Sequence, residues 1–389
     1  MVLGDLKNYL LTIFTYLLTI IIKMKNFILS VTTLCCLAFN SLITSADESH
    51  SSDKSKWNPG RPDSHAPIGV MGDHTHGANE YMLSYRFMSM EMNGHRQGSL
   101  SLTSADVFGL GYDITALDMS MDMHMFGFMY APSDQLTFMG MVNFVENSMN
   151  MLHKPGQMHM GGGMDMGGGM DMDGGMDMHH HGGKMSHSSS GIGDISIGGL
   201  YKFYDEKNHR AHLNLSVVIP SARVEESEHG MLLPYGMQLG SGTWDLKPGV
   251  TWLGQSGSFS YGAQIMATVR LEDENDAGYL LGDRLDTTAW LARELMDGLS
   301  ASVRLSYTKS DPIEGHFHNA HNHNSPTFLQ GNYGGDFLEG GIGLNWQFKK
   351  GTMKGHRLAI EGIFPLDQDT NGVGMNRDYT VIAGWQFAF

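Results

Sequence analysis

The sequence predicts an all-β chain: an antiparallel transmembrane β-barrel of about 12 strands, with short turns at one end and long loops at the other. Three observations predict it. Period-2 alternation of apolar and polar residues recurs along most of the chain, whereas helical periodicity is weak throughout. The alternating segments are about as long as the roughly 9–11 residues that cross a bilayer as a strand, and longer than the roughly 5–6 usual in soluble sheets. The links between them alternate short and long over an even strand count. Composition agrees. Glycine supplies 50 of 389 residues and charged residues only 17%, which argues against a helical enzyme and against a solvated disordered chain. A formal charge of -16 argues against a nucleic-acid partner.

Taken in order, residues 1–46 read as a secretory signal peptide, with Met24 as the expected true start. Lys23 and Lys25 form a basic segment, Phe27–Ala46 is apolar, and Thr44-Ser45-Ala46 gives a small-residue cleavage site. A membrane anchor is the plainer alternative, but the run is short and ends in small polar residues. Cys35 and Cys36 both lie in this segment, so the exported chain uses no disulfide framework. Residues 47–79 are expected to form an N-terminal periplasmic segment and residues 80–389 the barrel. Strands are placed at 80–92, 118–130, 135–149, 191–204, 210–220, 243–254, 258–271, 283–296, 299–310, 335–349, 355–365 and 378–389. Short links follow the even strands, as at Asp297-Gly298. Long links follow the odd ones: 93–117, 150–190, 221–242, 272–282, 311–334 and 366–377. Aromatic residues such as Tyr81, Tyr85, Trp252 and Trp346 fall near strand ends, as interfacial girdles do. The last strand alternates Tyr379, Val381, Ala383, Trp385, Phe387 and Phe389 with smaller or polar residues. It resembles the C-terminal signal of outer-membrane barrels, so the barrel assembly machinery is an expected partner, alongside outer-membrane lipid.

Several segments carry a family resemblance. They are His65-Ala66-Pro67-Ile68-Gly69-Val70-Met71-Gly72-Asp73-His74, Met119–Met125 running into Met129-Tyr130-Ala131-Pro132-Ser133-Asp134, Gly240–Leu246, and His356–Gly362. On these the chain resembles the outer-membrane barrel "transporter" family named for the meta-pathway of phenol degradation. The resemblance implies a barrel in the outer membrane of a Gram-negative bacterium and passage of small, often hydrophobic compounds.

Candidate chemistry concentrates in methionine and histidine. Of 31 Met, 21 fall between Met88 and Met185. Residues 158–187 are a Gly-rich, low-complexity segment. It carries Met158, His159, Met160, Met164, Met166, Met170, Met172, Met176 and Met178, followed by His179, His180 and His181. Gly dominance forbids a packed core there, so these thioethers are expected on an exposed loop, where soft Cu(I) or Ag(I) is the matching ion. The plainer reading is a replication-slippage insert without function. His316, His318, His321 and His323 form a second candidate metal set and His65, His74 and His76 a third, each also readable as solvated polar histidine. On the barrel wall, Met119, Met121, Met123, Met125 and Met129 are expected to face lipid, with Asp118, Ser120, Asp122 and His124 facing the lumen. Met82, Met88 and Met90 share a face with Ser84 and Arg86, and Met139 and Met141 with Thr137 and Asn143. Further expected lumen residues are Asp194, Asp245, Lys247, Arg270, Arg284, Asp286, Arg304, Glu339, Arg357 and Glu361, as an ion-pair network or a substrate path.

No Gly-x-Ser-x-Gly, His-Glu-x-x-His or P-loop lysine motif occurs, so no catalytic residue is assigned and no cofactor is required. The leading expectation is an outer-membrane channel for a small solute with metal-capturing Met/His loops. The rivals are a hydrophobic-compound channel with an incidental loop, and a barrel that only anchors a metal-binding surface.

Overall fold

The computed structural model describes residues 57–155, 183–319 and 324–389. The signal-peptide reading, residues 158–181 of the Met/His loop, and His321 and His323 lie outside the described residues.

The strands run in chain order: β1 (Tyr81–Gly98), β2 (Leu100–Leu102), β3 (Ile114–Tyr130), β4 (Leu136–His153), β5 (Lys184–Ile192), β6 (Ile195–Glu206), β7 (His209–Ile219), β8 (Ser227–Glu228) and β9 (Met231–Leu232). They continue with β10 (Asp245–Ser256), β11 (Phe259–Arg270), β12 (Tyr279–Leu280), β13 (Arg284–Met296), β14 (Leu299–Ser310), β15 (Glu314–Gly315), β16 (Gly335–Gln347) and β17 (His356–Ala388). One short helix, α1 (Ser104–Gly109), follows β2 and starts at a Thr103–Asp106 capping box.

Eleven strands close an antiparallel ring in the order β17-β16-β14-β13-β11-β10-β7-β6-β4-β3-β1, with β17 returning to β1. Strands β2 and β5 lie outside it, paired to β1 and β4. The sequence reading had twelve strands because it ended one at 365 and began another at 378. Asn371, Gly372 and Gly374 suggest a loop there, and the chain does turn at Asn371-Gly372, but pairing extends so far on each side that residues 356–388 form one continuous element of 33 residues. Its first half pairs antiparallel with β16, out to Gly335↔Thr370, and its second half with β1, from Gln97↔Val373 onward. Eleven staves cannot all be antiparallel to both neighbours in a closed ring. The chain resolves this by reversing direction within β17. The expected 150–190 loop is also trimmed, since β4 continues to His153 and β5 starts at Lys184.

The polarity of a soluble protein is inverted. On β16, Ile342 is 66% exposed on the outer face while Asn345, facing inward, is 2% exposed. Leu344, Trp346, Val250, Trp252, Ile265, Val303, Leu358, Ile360 and Phe364 join the exposed apolar belt; Asn214, Ser216, Thr251, Gln264 and Gln386 are buried inside. A closed ring satisfies every backbone group without a free edge, which a bilayer core requires of any spanning sheet. The seam closes through reciprocal Tyr81–Phe389 backbone hydrogen bonds, both 2.9 Å.

One end of the ring carries tight turns. Gly257 (φ 58°) and Gly298 (φ 84°) take the left-handed conformation that such turns require and that glycine adopts without strain. The other end carries the long loops, which pack on one another. Val224, Tyr235, Ala277, Tyr279, Ile313 and Phe317 form one apolar cluster, with Tyr235 stacked on Phe317 at 4.2 Å.

Candidate lumen site

Residues 57–80 fold into the ring from the short-turn end. Trp57 N donates to Lys207 O at 2.8 Å, Arg61 Nη1 to Gly257 O at 2.7 Å, and Asn79 N to Ala131 O at 2.7 Å, all in short turns. Deeper, the segment is held by the inner wall. Arg357 donates to Ala66 O (2.9 Å), Gln264 to Met71 O (2.9 Å) and Thr137 Oγ1 accepts from His76 N (3.1 Å). At its tip, Gly69 N donates to Glu361 Oε2 at 2.8 Å, and Glu361 Oε1 accepts from Arg304 Nε at 2.6 Å. Ile68 inserts among Ala359, Ile363 and Ile382, and Val70 packs with Leu253 and Trp290. This segment is therefore a plug, anchored by hydrogen bonds and small apolar contacts.

Within the plug, Asp73 lies at the centre of three histidines. Its carboxylate accepts from Ala66 N at 3.0 Å and meets His74 Nδ1 at 2.8 Å, and His65 Nδ1 sits 3.4 Å from His74 Nδ1. Burial alone would raise the Asp73 carboxyl, but the charge and hydrogen bond of His74 hold it well below the usual carboxylate range. Burial, followed by the charge of Arg357, pushes His65 well below its ordinary value, and burial pushes His76 down to about 3.

The wall formed by β1, β3 and β4 is lined with thioethers. Cross-strand partners share a face, and the register gives inward rows Met82–Met129–Met139, Met88–Met123–Val145, Met90–Met121–Asn147 and Met92–Met119–Met149. Met125 lies between them beside Arg86. The expected orientation of β3 is thus reversed: Met125 is 8% exposed in the interior while Phe126 is 56% exposed on the outer face. Asp122 and His124 share the outer face with Phe126. They pair with Ser89 and Phe87, and His124 approaches Tyr85 Oη (2.8 Å) and Glu146 (3.6 Å) outside the lumen. Apolarity alone suggested a lipid-facing methionine stripe, but on β3 the aromatic residues take the lipid. At the long-loop end, Leu233 and Met237 cap Met119, Met149 and Met151, so loops cover the top of this wall.

The remaining expected lumen residues fall into two belts. Arg86, Arg304, Arg357 and Glu361 surround the plug. Arg86 Nη1 lies 3.3 Å from Met71 Sδ, and Arg357 also binds Gln386 (2.5 Å) and Asn345 (2.7 Å). Nearer the long loops, Asp245 pairs with Arg270, Arg284 with Asp286 (2.7 Å) and Glu339 with Arg377 (3.4 Å). Lys247 shares the inward parity of Asp245 on β10. Asp194 does not line the wall. It sits between β5 and β6 and accepts from Ser221, Ala222 and Ser241, tying down the loop that follows β7. His316 and His318 lie beyond β15, where their backbone amides bond Gly278 and Ala277. Sequence reasoning missed Gly69, Asp73, Asn345 and Gln386. Of these, Asn345 and Gln386 were legible as polar members of alternating strands.

No curated protein matches the chain. Among solved structures, an outer membrane channel from Pseudomonas putida F1 is similar at TM-score 0.52 and 10% identity, over 83% of this chain and 100% of that one. A FadL homologue from Pseudomonas aeruginosa (TM-score 0.39, 10% identity, 88% and 99%) and the toluene transporter TodX from Pseudomonas putida (0.36, 11%, 88% and 98%) are more distant. The first likeness shows the fold, that of a closed outer-membrane-type β-barrel. The family model described as "Putative MetA-pathway of phenol degradation" matches residues 125–370, well over half of the sequence, and the chain belongs to that family.

Proposed function

We propose that this protein is an outer-membrane channel for a small solute, with its long loops outside the cell and its short turns and plug on the periplasmic side. The observation that carries this reading is the interior. A wall of methionines runs from Met82, Met129 and Met139, beside the plug residues Met71–His74, to Met119 and Met149 beneath the long loops. A barrel serving only as an anchor has no need of a plug held by reversible contacts. With β17 counted as its two antiparallel arms, the staves are even in number, and both barrel ends, Tyr81 and Phe389, lie at the short-turn end, as expected for a chain that enters the membrane from the periplasm.

The Met/His loop, from Met158 to His181, together with His316, His318, His321 and His323, would collect copper- or silver-like ions outside. Thioethers also line the wall within, so loop and lumen offer one ligand chemistry, suited to Cu(I) or Ag(I). The same wall is apolar and adaptable. That favours a second reading, a hydrophobic aromatic solute, in keeping with the phenol degradation in the family's description. Proteoliposomes carrying the purified barrel separate the readings. Silver-ion flux that falls when the loop methionines become leucine supports the first. Flux of a small aromatic, indifferent to that change, supports the second. No flux of either leaves an anchor.

A further inference from the structure

We propose that His65, Asp73 and His74 form a binding site for one divalent transition-metal ion of the zinc or copper class, and that the ion clips the plug into shape. One ligand atom from each residue lies within 4.8 Å of the others. The two Nδ1 atoms are 3.4 Å apart, and the Asp73 carboxylate stands 2.8 Å from one and 3.8 Å from the other. Two nitrogens on a tetrahedral ion with bonds of about 2.0–2.1 Å lie about 3.3–3.4 Å apart. The pair therefore already has the separation that such an ion imposes.

Hydrogen bonding accounts for the cluster less well. A carboxylate only accepts, and a neutral imidazole presents one N–H and one lone pair. A proton on His74 Nδ1 must be divided between Asp73 and His65, whereas a proton on His65 Nδ1 leaves His74 Nδ1 as a lone pair facing the carboxylate. A cation satisfies all three at once. The Nε2 atoms of His74 and His76 are buried without a partner, so His76 offers a further imidazole next to His74, ring centroids 4.9 Å apart. Two imidazoles and a carboxylate are a borderline donor set, which suits Zn(II) and, by the Irving–Williams order, Cu(II) more strongly. The Arg357 guanidinium bonds Ala66 O beside the site and limits its affinity.

The placement gives the ion a role. His65 lies on the inward arm of the plug and Asp73-His74 on the return arm; the loop between them carries Gly69, which bonds Glu361. Closing this loop pre-orders the tip that meets the wall. The site uses imidazole and carboxylate rather than thioether, so it stands or falls apart from the copper or silver reading of the external loop, and whether or not the lumen conducts.

Zinc alone is the probe. Full-length protein, stripped with a chelator and re-equilibrated, is crystallised with zinc, and anomalous diffraction is recorded at the zinc edge. The expected result is a peak within bonding distance of both Nδ1 atoms and of Asp73. In solution, H65Q and H74Q should each lose one bound zinc per chain relative to the parent, with folding checked by heat-modifiable gel migration. A map with zinc elsewhere on the protein but none between these residues overturns the proposal. So does an unchanged stoichiometry in both folded variants. Should either variant fail to fold, the map on the parent protein decides.

Discussion

Gly69→Ala is the sharpest perturbation of the plug, because it alters one atom at its tip and none in the barrel. A Cβ there would stand 2.8 Å from Glu361 Oε2, 2.9 Å from Arg304 Nη2 and 3.0 Å from Ile382 Cδ1. The first two atoms end flexible side chains, but those side chains are buried and bonded to each other at 2.6 Å, so neither yields without weakening that pair. Overpacking of this kind costs about 1–3 kcal/mol. At tenfold per 1.4 kcal/mol, the ratio of docked to undocked plug should fall about 5- to 150-fold. Gly77→Ala is the matched control, since its Cβ would meet only the Glu80 carboxyl group, at 3.4 Å. In planar-bilayer recordings the Gly69 variant should dwell longer in a higher-conductance state, while the control matches the parent. Identical traces from both correctly folded variants would refute the plug as a barrier.

Glu361→Ala leaves Arg304 buried without its partner and should cost about 3–5 kcal/mol in urea unfolding of the folded barrel; a loss below 1 kcal/mol would argue against the pair as drawn. With Cys35 and Cys36 replaced by serine, single cysteines can report orientation. Cysteine at Phe126 should resist a water-soluble maleimide in liposomes, whereas cysteine at Met125 should react once the plug is displaced, and the reverse order would restore the lipid-facing methionine stripe. Deleting Phe389 removes both seam hydrogen bonds to Tyr81 and should slow insertion, as followed by heat-modifiable gel migration. Gln386→Ala should insert normally but loosen Arg357, and equal insertion defects would contradict the assigned faces.

Much of the barrel was legible because lipid and lumen impose a strict period of two. Leu344 and Trp346 against Asn345, or Val250 and Trp252 against Thr251, declare their faces by polarity alone. Strand β3 did not, because methionine is apolar yet adaptable enough to line an interior. The deciding signal was parity. Asp122 and His124 alternate in step with Phe126 and Phe128, and aromatic residues of that size belong to the lipid belt. The length of the β17 arms was hidden for a related reason: Asn371, Gly372 and Gly374 are turn formers and the chain does reverse there, but pairing runs up to Thr370 and resumes at Val373 instead of leaving a long loop. The plug was not legible as structure at all. It has no periodicity, and its contacts join residues far apart in sequence, such as Gly69 with Glu361. Its histidines were visible as a cluster, but Asp73, which draws them together, was noted only within a family segment.

The most direct test of the channel itself is solute flux through purified full-length protein in liposomes, measured beside the Gly69→Ala variant. A lumen closed by a displaceable plug should give slow entry of a small solute with the parent and faster entry with the variant. Two folded barrels that both leave the liposomes sealed, to silver ion and to a small aromatic alike, would contradict a channel.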